Sequence, residues 1–151
     1  MLSTVRTGVA GLGSRGFGLV KDLLMDLQGV EIVAVCDDFG DRAEKAQAAI
    51  REKTGKTPKA YRSYDEMLDA GDLDAVLVIT PWETHVPFAI RAMEKGIPVG
   101  IEVGGATSVQ ECWDLVRTYE KTRTPFMFLE NCCFGRRELM VLNMVDQGVL
   151  G

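Results

Sequence analysis

Histidine occurs once in 151 residues, proline five times, and the four cysteines include no Cys-x-x-Cys pair. A single imidazole, with Cys132 and Cys133 adjacent and Cys36 and Cys112 far apart, gives no metal-ligand spacing, so no metal site is expected. No cluster of lysine or arginine stands out and the formal net charge is −5, which argues against a nucleic-acid partner. No apolar run approaches the ~20 residues that span a bilayer, and Met1–Arg6 lacks the apolar segment of a signal peptide. No membrane association is therefore expected. A cytoplasmic setting fits thiols used as small core residues; a redox role for Cys132–Cys133 is the alternative.

What is present is a composition with 46% hydrophobic residues, enough for one domain with a substantial core. Short β-branched runs alternate with helical periodicity. Strands are predicted at Val5–Ala10, Glu31–Cys36, Lys59–Arg62, Ala75–Ile79, Pro98–Val103 and Phe126–Glu130. Helices are predicted at Arg15–Gln28, Asp41–Lys53, Ser63–Ala70, Glu83–Lys95, Ser108–Arg123 and Arg136–Gln147. Ser63 with Glu66, and Ser108 with Glu111, have capping-box spacing. Six strands alternating with helices predict an α/β fold: a doubly wound parallel sheet of Rossmann type, in three α/β/α layers and order 3-2-1-4-5-6.

The first strand breaks into Gly11-Leu12-Gly13-Ser14-Arg15-Gly16, a Gly-x-Gly-x-x-Gly turn opening a helix. In such a turn Gly11 permits the tight bend, Gly13 the approach of a pyrophosphate, and Gly16 close packing of helix on strand. Ser14 lies within it, and the positive end of the helix dipole faces the ligand. Asp37 ends the second strand 21 residues beyond Gly16, close to the ~20 expected of a ribose-binding acid. Its carboxylate would repel a 2′-phosphate, favouring NAD over NADP, although Arg42 nearby offers such a phosphate a partner. The plainer alternative is that Asp37 and Asp38 only begin a turn.

Other residues have two readings each. Arg15 pairs with cofactor phosphate or a nearby carboxylate, or is solvated. Thr80-Pro81-Trp82 and Glu102, ending strands four and five, are expected to approach the nicotinamide half. Trp82 either walls that pocket or is buried. His85, in the first turn of its helix, is a structural histidine or a catalytic, cofactor-contacting one.

Gly11–Gly16, Cys36-Asp37, Thr80-Pro81 with His85, Glu102 and the closing Gly148-Val149-Leu150-Gly151 resemble the N-terminal half of the Gfo/Idh/MocA oxidoreductases. The resemblance implies a cofactor-binding Rossmann domain over residues 1–151, NAD or NADP as cofactor, and sugar, cyclitol or polyol substrates. It also implies a substrate domain beyond this sequence, so that a fragment is expected. Many relatives carry Glu-Lys-Pro after the fifth strand, where the lysine helps move the substrate hydroxyl proton. Here Glu102-Val103-Gly104 has no lysine, and valine transfers no proton.

Thr80-Pro81-Trp82-Glu83, Glu111-Cys112-Trp113 and Leu129-Glu130-Asn131-Cys132-Cys133-Phe134 resemble more closely the branch containing NAD-dependent α-N-acetylgalactosaminidases. There a bound NAD transiently oxidises the sugar at C3, the C2 proton leaves, the glycosidic bond is eliminated, water adds and the hydride returns. Asn131 is included in the expected cofactor surroundings on this basis. The acid and base of that sequence are expected mainly in the second domain. Leu139, Met140, Val141, Leu142, Met144 and Val145 make the last helix apolar around most of its circumference. Such a helix expects cover from the second domain or another copy of the chain. A non-catalytic nucleotide-binding module is the alternative function. Methyl transfer from S-adenosylmethionine, which also uses a glycine turn and an acid after strand two, is disfavoured by the Thr80-Pro81 and Glu102 segments.

Overall fold

A computed structural model describes residues 4–150. Met1–Ser3 at the start of the N-terminal segment and Gly151 of the closing motif lie outside the described residues. The strands are β1 (Val5–Ala10), β2 (Val30–Cys36), β3 (Lys59–Tyr61), β4 (Ala75–Val78), β5 (Val99–Ile101) and β6 (Phe126–Phe128). The helices are α1 (Ser14–Asp22), α2 (Gly40–Thr54), α3 (Tyr64–Asp69), α4 (Trp82–Glu94), α5 (Val109–Thr122) and α6 (Arg136–Asp146). The six strands form one parallel sheet in the order β3-β2-β1-β4-β5-β6, as the alternating pattern predicts.

Strands buried on both faces need apolar cover on both, and two clusters supply it. On one face Leu12, Val20, Ala43, Ala46 and Ile50 of the α1 and α2 side meet Val9 and Val35. On the other, Met67, Leu68, Ala89, Ala92 and Met93 of α3 and α4 meet Val76, Val78 and Ile101. The alanines at 43 and 46 let α2 lie close to the sheet; both are fully enclosed. These two clusters make the layers of the predicted three-layer fold.

Most boundaries shift by one or two residues from the sequence pattern, and a few differ more. The first helix ends at Asp22 rather than Gln28, because Leu23 leaves helical geometry (φ −135°, ψ −65°) and a 3-10 turn over Leu24–Asp26 follows. That break turns Leu24 into the core while Leu23 and Leu27 stay exposed. Strands β5 and β6 are each three residues long, shorter than the runs Pro98–Val103 and Phe126–Glu130. Ser108 forms the full capping box with Glu111, whereas Ser63 accepts from the Glu66 N–H at 3.3 Å without the return bond.

Candidate cofactor site at the carboxyl ends of the strands

The ends of β1, β2, β4 and β5 lie side by side, so the loops that follow them share one rim of the sheet. At the centre is the glycine turn. Gly11 has φ +89°, its N–H donates to the Cys36 carbonyl at 2.9 Å, and an added Cβ would meet the Ile79–Thr80 backbone. A Cβ on Gly16 would overlap the Gly11 carbonyl oxygen. These two glycines are required by the protein's own packing.

Gly13 is different. A Cβ there would meet only Arg42 Nη1, at 3.9 Å, so internal contacts do not demand glycine. The turn also serves as the amino end of α1, which has no side-chain cap and no acid in its first turn. Its first-turn N–H groups, those of exposed Ser14 and Arg15 among them, are thus not used by a capping side chain. A space beside uncapped donors suits an anion.

Asp37 follows β2 and is buried to 8% exposure. Its Oδ2 accepts the Leu12 N–H at 2.7 Å and its Oδ1 the Phe39 N–H at 2.9 Å. The carboxylate therefore ties the glycine turn to the loop after β2. Each carboxylate oxygen has a second lone pair, so the group retains capacity for a further donor. Arg42 Nη1 is 3.7 Å from Oδ1, and its guanidinium lies over the Phe39 ring at 4.4 Å. Burial pushes the neighbouring Cys36 thiol up to about 12, and the charges of Asp38 and Asp37 add to the effect. That thiol stays protonated.

A cleft connects these groups to the end of β4. Gly11, Asp37, Asp38, Phe39 and Arg42 line it together with Thr80, Pro81 and Thr84. Tyr64 and Phe88, stacked at 4.1 Å between ring centroids, also line it. Thr80 is held by the Thr84 hydroxyl, which lies 2.7 Å from Thr80 Oγ1 and also 2.7 Å from the Pro81 carbonyl oxygen. Phe39, Tyr64 and Phe88 were absent from the sequence reading. Phe39 alone left a signal there, an aromatic two residues after Asp37 with an arginine three residues on.

The β5 side brings in Glu102, whose N–H donates to the Val78 carbonyl at 2.9 Å. Its Oε1 accepts from Arg15 Nε at 2.7 Å, which gives Arg15 the carboxylate partner that was one of its expected readings. Trp82 is 62% exposed at the start of α4. A Cβ on Gly104 (φ +114°) would collide with the Trp82 indole, so the indole rests on the Gly104 backbone.

Two expected residues do not join this group. His85 is completely enclosed, with Nε2 2.7 Å from the Thr80 carbonyl oxygen and Nδ1 without a partner. Helical geometry at Thr84–Val86 turns the imidazole inward, where it supports the Thr80 loop, which is the structural one of its two expected readings. Asn131 is exposed beyond β6, where its carbonyl accepts the Phe134 N–H at 3.2 Å. It follows the edge strand of the sheet, with β4 and β5 between that strand and β1, and it is not among the cleft residues. Among the described residues no group of three or more His, Cys, Asp or Glu is placed to hold a metal ion.

The Gfo/Idh/MocA family, described as "Oxidoreductase family, NAD-binding Rossmann fold", matches residues 5–129, most of the chain. The chain belongs to this family. Its relatives in sequence include proteins named Glycosyl hydrolase family 109 protein. That of Streptomyces filamentosus is 43% identical over 153 residues, covering 99% of this chain and 31% of the relative. That of Shewanella woodyi is 45% identical, covering 99% and 33%. The chain thus spans about a third of the length of the curated relatives it matches.

Among solved structures, scyllo-inositol dehydrogenase from Lactobacillus casei, with bound NAD(H) and scyllo-inositol, superposes with TM-score 0.87 at 19% identity. The match covers 99% of this chain and 43% of that one. The WlbA dehydrogenase from Bordetella pertussis, in complex with NADH and UDP-GlcNAcA, gives 0.86 at 23%, covering 97% and 40%. These are likenesses of fold. The Gfo/Idh/MocA domain accounts for the sheet order, the glycine turn and the acid after β2 together.

Proposed function

We propose that this Gfo/Idh/MocA domain binds NAD in preference to NADP and serves an enzyme acting on sugars or polyols. The observation that carries the reading is the Gly13 opening beside the buried Asp37 carboxylate. One accommodates a pyrophosphate, the other accepts hydrogen bonds from ribose hydroxyls. In this assignment Gly11 and Gly16 set the turn, and the Gly13–Gly16 N–H groups meet the pyrophosphate. Asp37 takes the adenosine ribose, the Phe39–Arg42 pair flanks the adenosine, and Thr80, Pro81, Trp82 and Glu102 approach the nicotinamide half. Asp37 and Asp38 repel a 2′-phosphate, and Arg42 is already drawn toward Asp37 and Phe39. When bound, NAD supplies a hydride acceptor.

Titration calorimetry with NAD, NADP and S-adenosylmethionine tests the reading. Tighter binding of NAD is expected; equal or better binding of NADP or S-adenosylmethionine overturns it.

The relatives' names favour glycoside cleavage over net dehydrogenation, and the proposed NAD site would then serve it through transient oxidation. Val103 supports this, since this chain supplies no lysine beside Glu102 to move a hydroxyl proton. The acid and base then come from protein outside this domain. A protein that carries this domain within the full length of those relatives should release p-nitrophenol from a p-nitrophenyl aminosugar with no accumulation of NADH. Stoichiometric NADH formation assigns it to net dehydrogenation instead. The α6 helix, which has no buried residue and exposes Leu139, Met140, Val141, Leu142 and Val145, is the surface we assign to contact with a second domain or another copy.

A further inference from the structure

We propose that Glu102 sets the anion affinity of the glycine turn by neutralising Arg15, a reading that rests on the turn being the pyrophosphate site. Arg15 is the second residue of α1, at the mouth of the turn, and its side chain is 59% exposed. It is the arginine of the turn itself. Its Nε donates to Glu102 Oε1 at 2.7 Å, and Glu102 is only 16% exposed. The acid is fixed from behind, because its own N–H is bound to Val78 at the end of β4. Since β4 lies between β1 and β5, the pair bridges the end of β4. A dinucleotide running from Asp37 past Gly13 toward β4 and β5 would meet it on the way.

The charge consequence follows from Coulomb's law. A cation beside a pyrophosphate attracts it, and a carboxylate one hydrogen bond further cancels most of that attraction. Glutamine at 102 preserves an oxygen that accepts the Arg15 Nε–H while removing the negative charge. Arg15 would then keep its orientation and act on the phosphates as a full cation. A purely structural role for the pair gives the opposite outcome, because weakening it would loosen the turn and every ligand with it.

The test is calorimetric titration of ADP and of adenosine into the wild-type chain, Glu102→Gln, Arg15→Gln and the double variant, at low and high salt. Glu102→Gln should tighten ADP roughly two- to fivefold, the size expected for a half-exposed ion pair, and leave adenosine unchanged. The gain should shrink at high salt and vanish when Arg15 is also replaced. Arg15→Gln alone should weaken ADP and not adenosine, which keeps the test available if Glu102→Gln unfolds. Unchanged or weaker ADP binding by folded Glu102→Gln overturns the proposal while leaving the cofactor reading intact. Failure of the wild-type chain to bind ADP or NAD overturns both.

Discussion

Replacing Asp37 by asparagine removes one charge and one acceptor at nearly constant volume, in a place where both oxygens are already used. Oδ2 holds the buried Leu12 N–H at 2.7 Å and Oδ1 the Phe39 N–H at 2.9 Å. An amide offers one oxygen, so one of the two donors loses its partner. If the oxygen stays with Leu12, the orphan is Phe39, which is exposed and regains water. Asp37→Asn should then cost about 1–2 kcal/mol, the loss of one charge-assisted bond. Asp37→Ala also strands the enclosed Leu12 N–H and should cost about 2–4 kcal/mol. In a domain of this size each kcal/mol lowers Tm by about 2–4 °C, so the two variants should separate clearly in thermal unfolding. NAD binding by Asp37→Asn should weaken roughly 10- to 100-fold, about 1.5–3 kcal/mol, and NADP should lose less because the repulsion is gone. Wild-type stability in Asp37→Ala would refute the tie between turn and loop. Lower Tm with unchanged NAD affinity would refute the ribose contact.

The glycines of the turn should separate by function. Gly16→Ala puts a Cβ on the Gly11 carbonyl, a backbone clash no rotamer relieves, and should destabilise by about 3 kcal/mol in denaturant unfolding. Gly13→Ala should melt near wild type yet lose NAD binding by calorimetry, because its Cβ fills space that only a ligand needs. At Gly104 alanine meets both a left-handed φ of +114° and the Trp82 indole, so Gly104→Ala should shift Trp emission to the red; an unchanged spectrum means the indole does not rest there. Cys112, Cys132 and Cys133 are exposed and Cys36 is buried with its thiol pushed up to about 12. A thiol-reactive chromophore at pH 8 should therefore find three cysteines in the native protein and a fourth only in denaturant.

The sheet order was legible because parallel strands buried on both faces must be apolar runs, and Val76–Ile79 or Ile32–Cys36 can do little else. The glycine turn and Asp37 were legible for a different reason: spacing along the chain maps directly onto a turn and the next strand's end. Legibility stopped where side chains choose direction. His85 has the same first-turn position whether it faces the cleft or the core, and only packing against Thr80 decides it. Arg15 could pair with phosphate or a carboxylate or stay solvated, and the choice of Glu102, 87 residues further along, depends on β5 lying next to β4. The aromatic lining of the cleft by Phe39, Tyr64 and Phe88 is assembled from three separate segments, so no local pattern announces it as a whole. The early end of the first helix at Leu23 reflects the pull of Leu24 into the core, a tertiary contact that overrides helical periodicity.

The most direct measurement is the map of backbone amide shifts in the nuclear magnetic resonance spectrum when NAD is added. The account predicts that the perturbed amides cluster at Leu12–Gly16, Asp37–Phe39 and the Thr80–Trp82 region, at the carboxyl ends of β1, β2 and β4. The amides of α5 and the outer face of α2 should stay in place. Perturbations centred on α5 and β6, or none at saturating NAD, would contradict it.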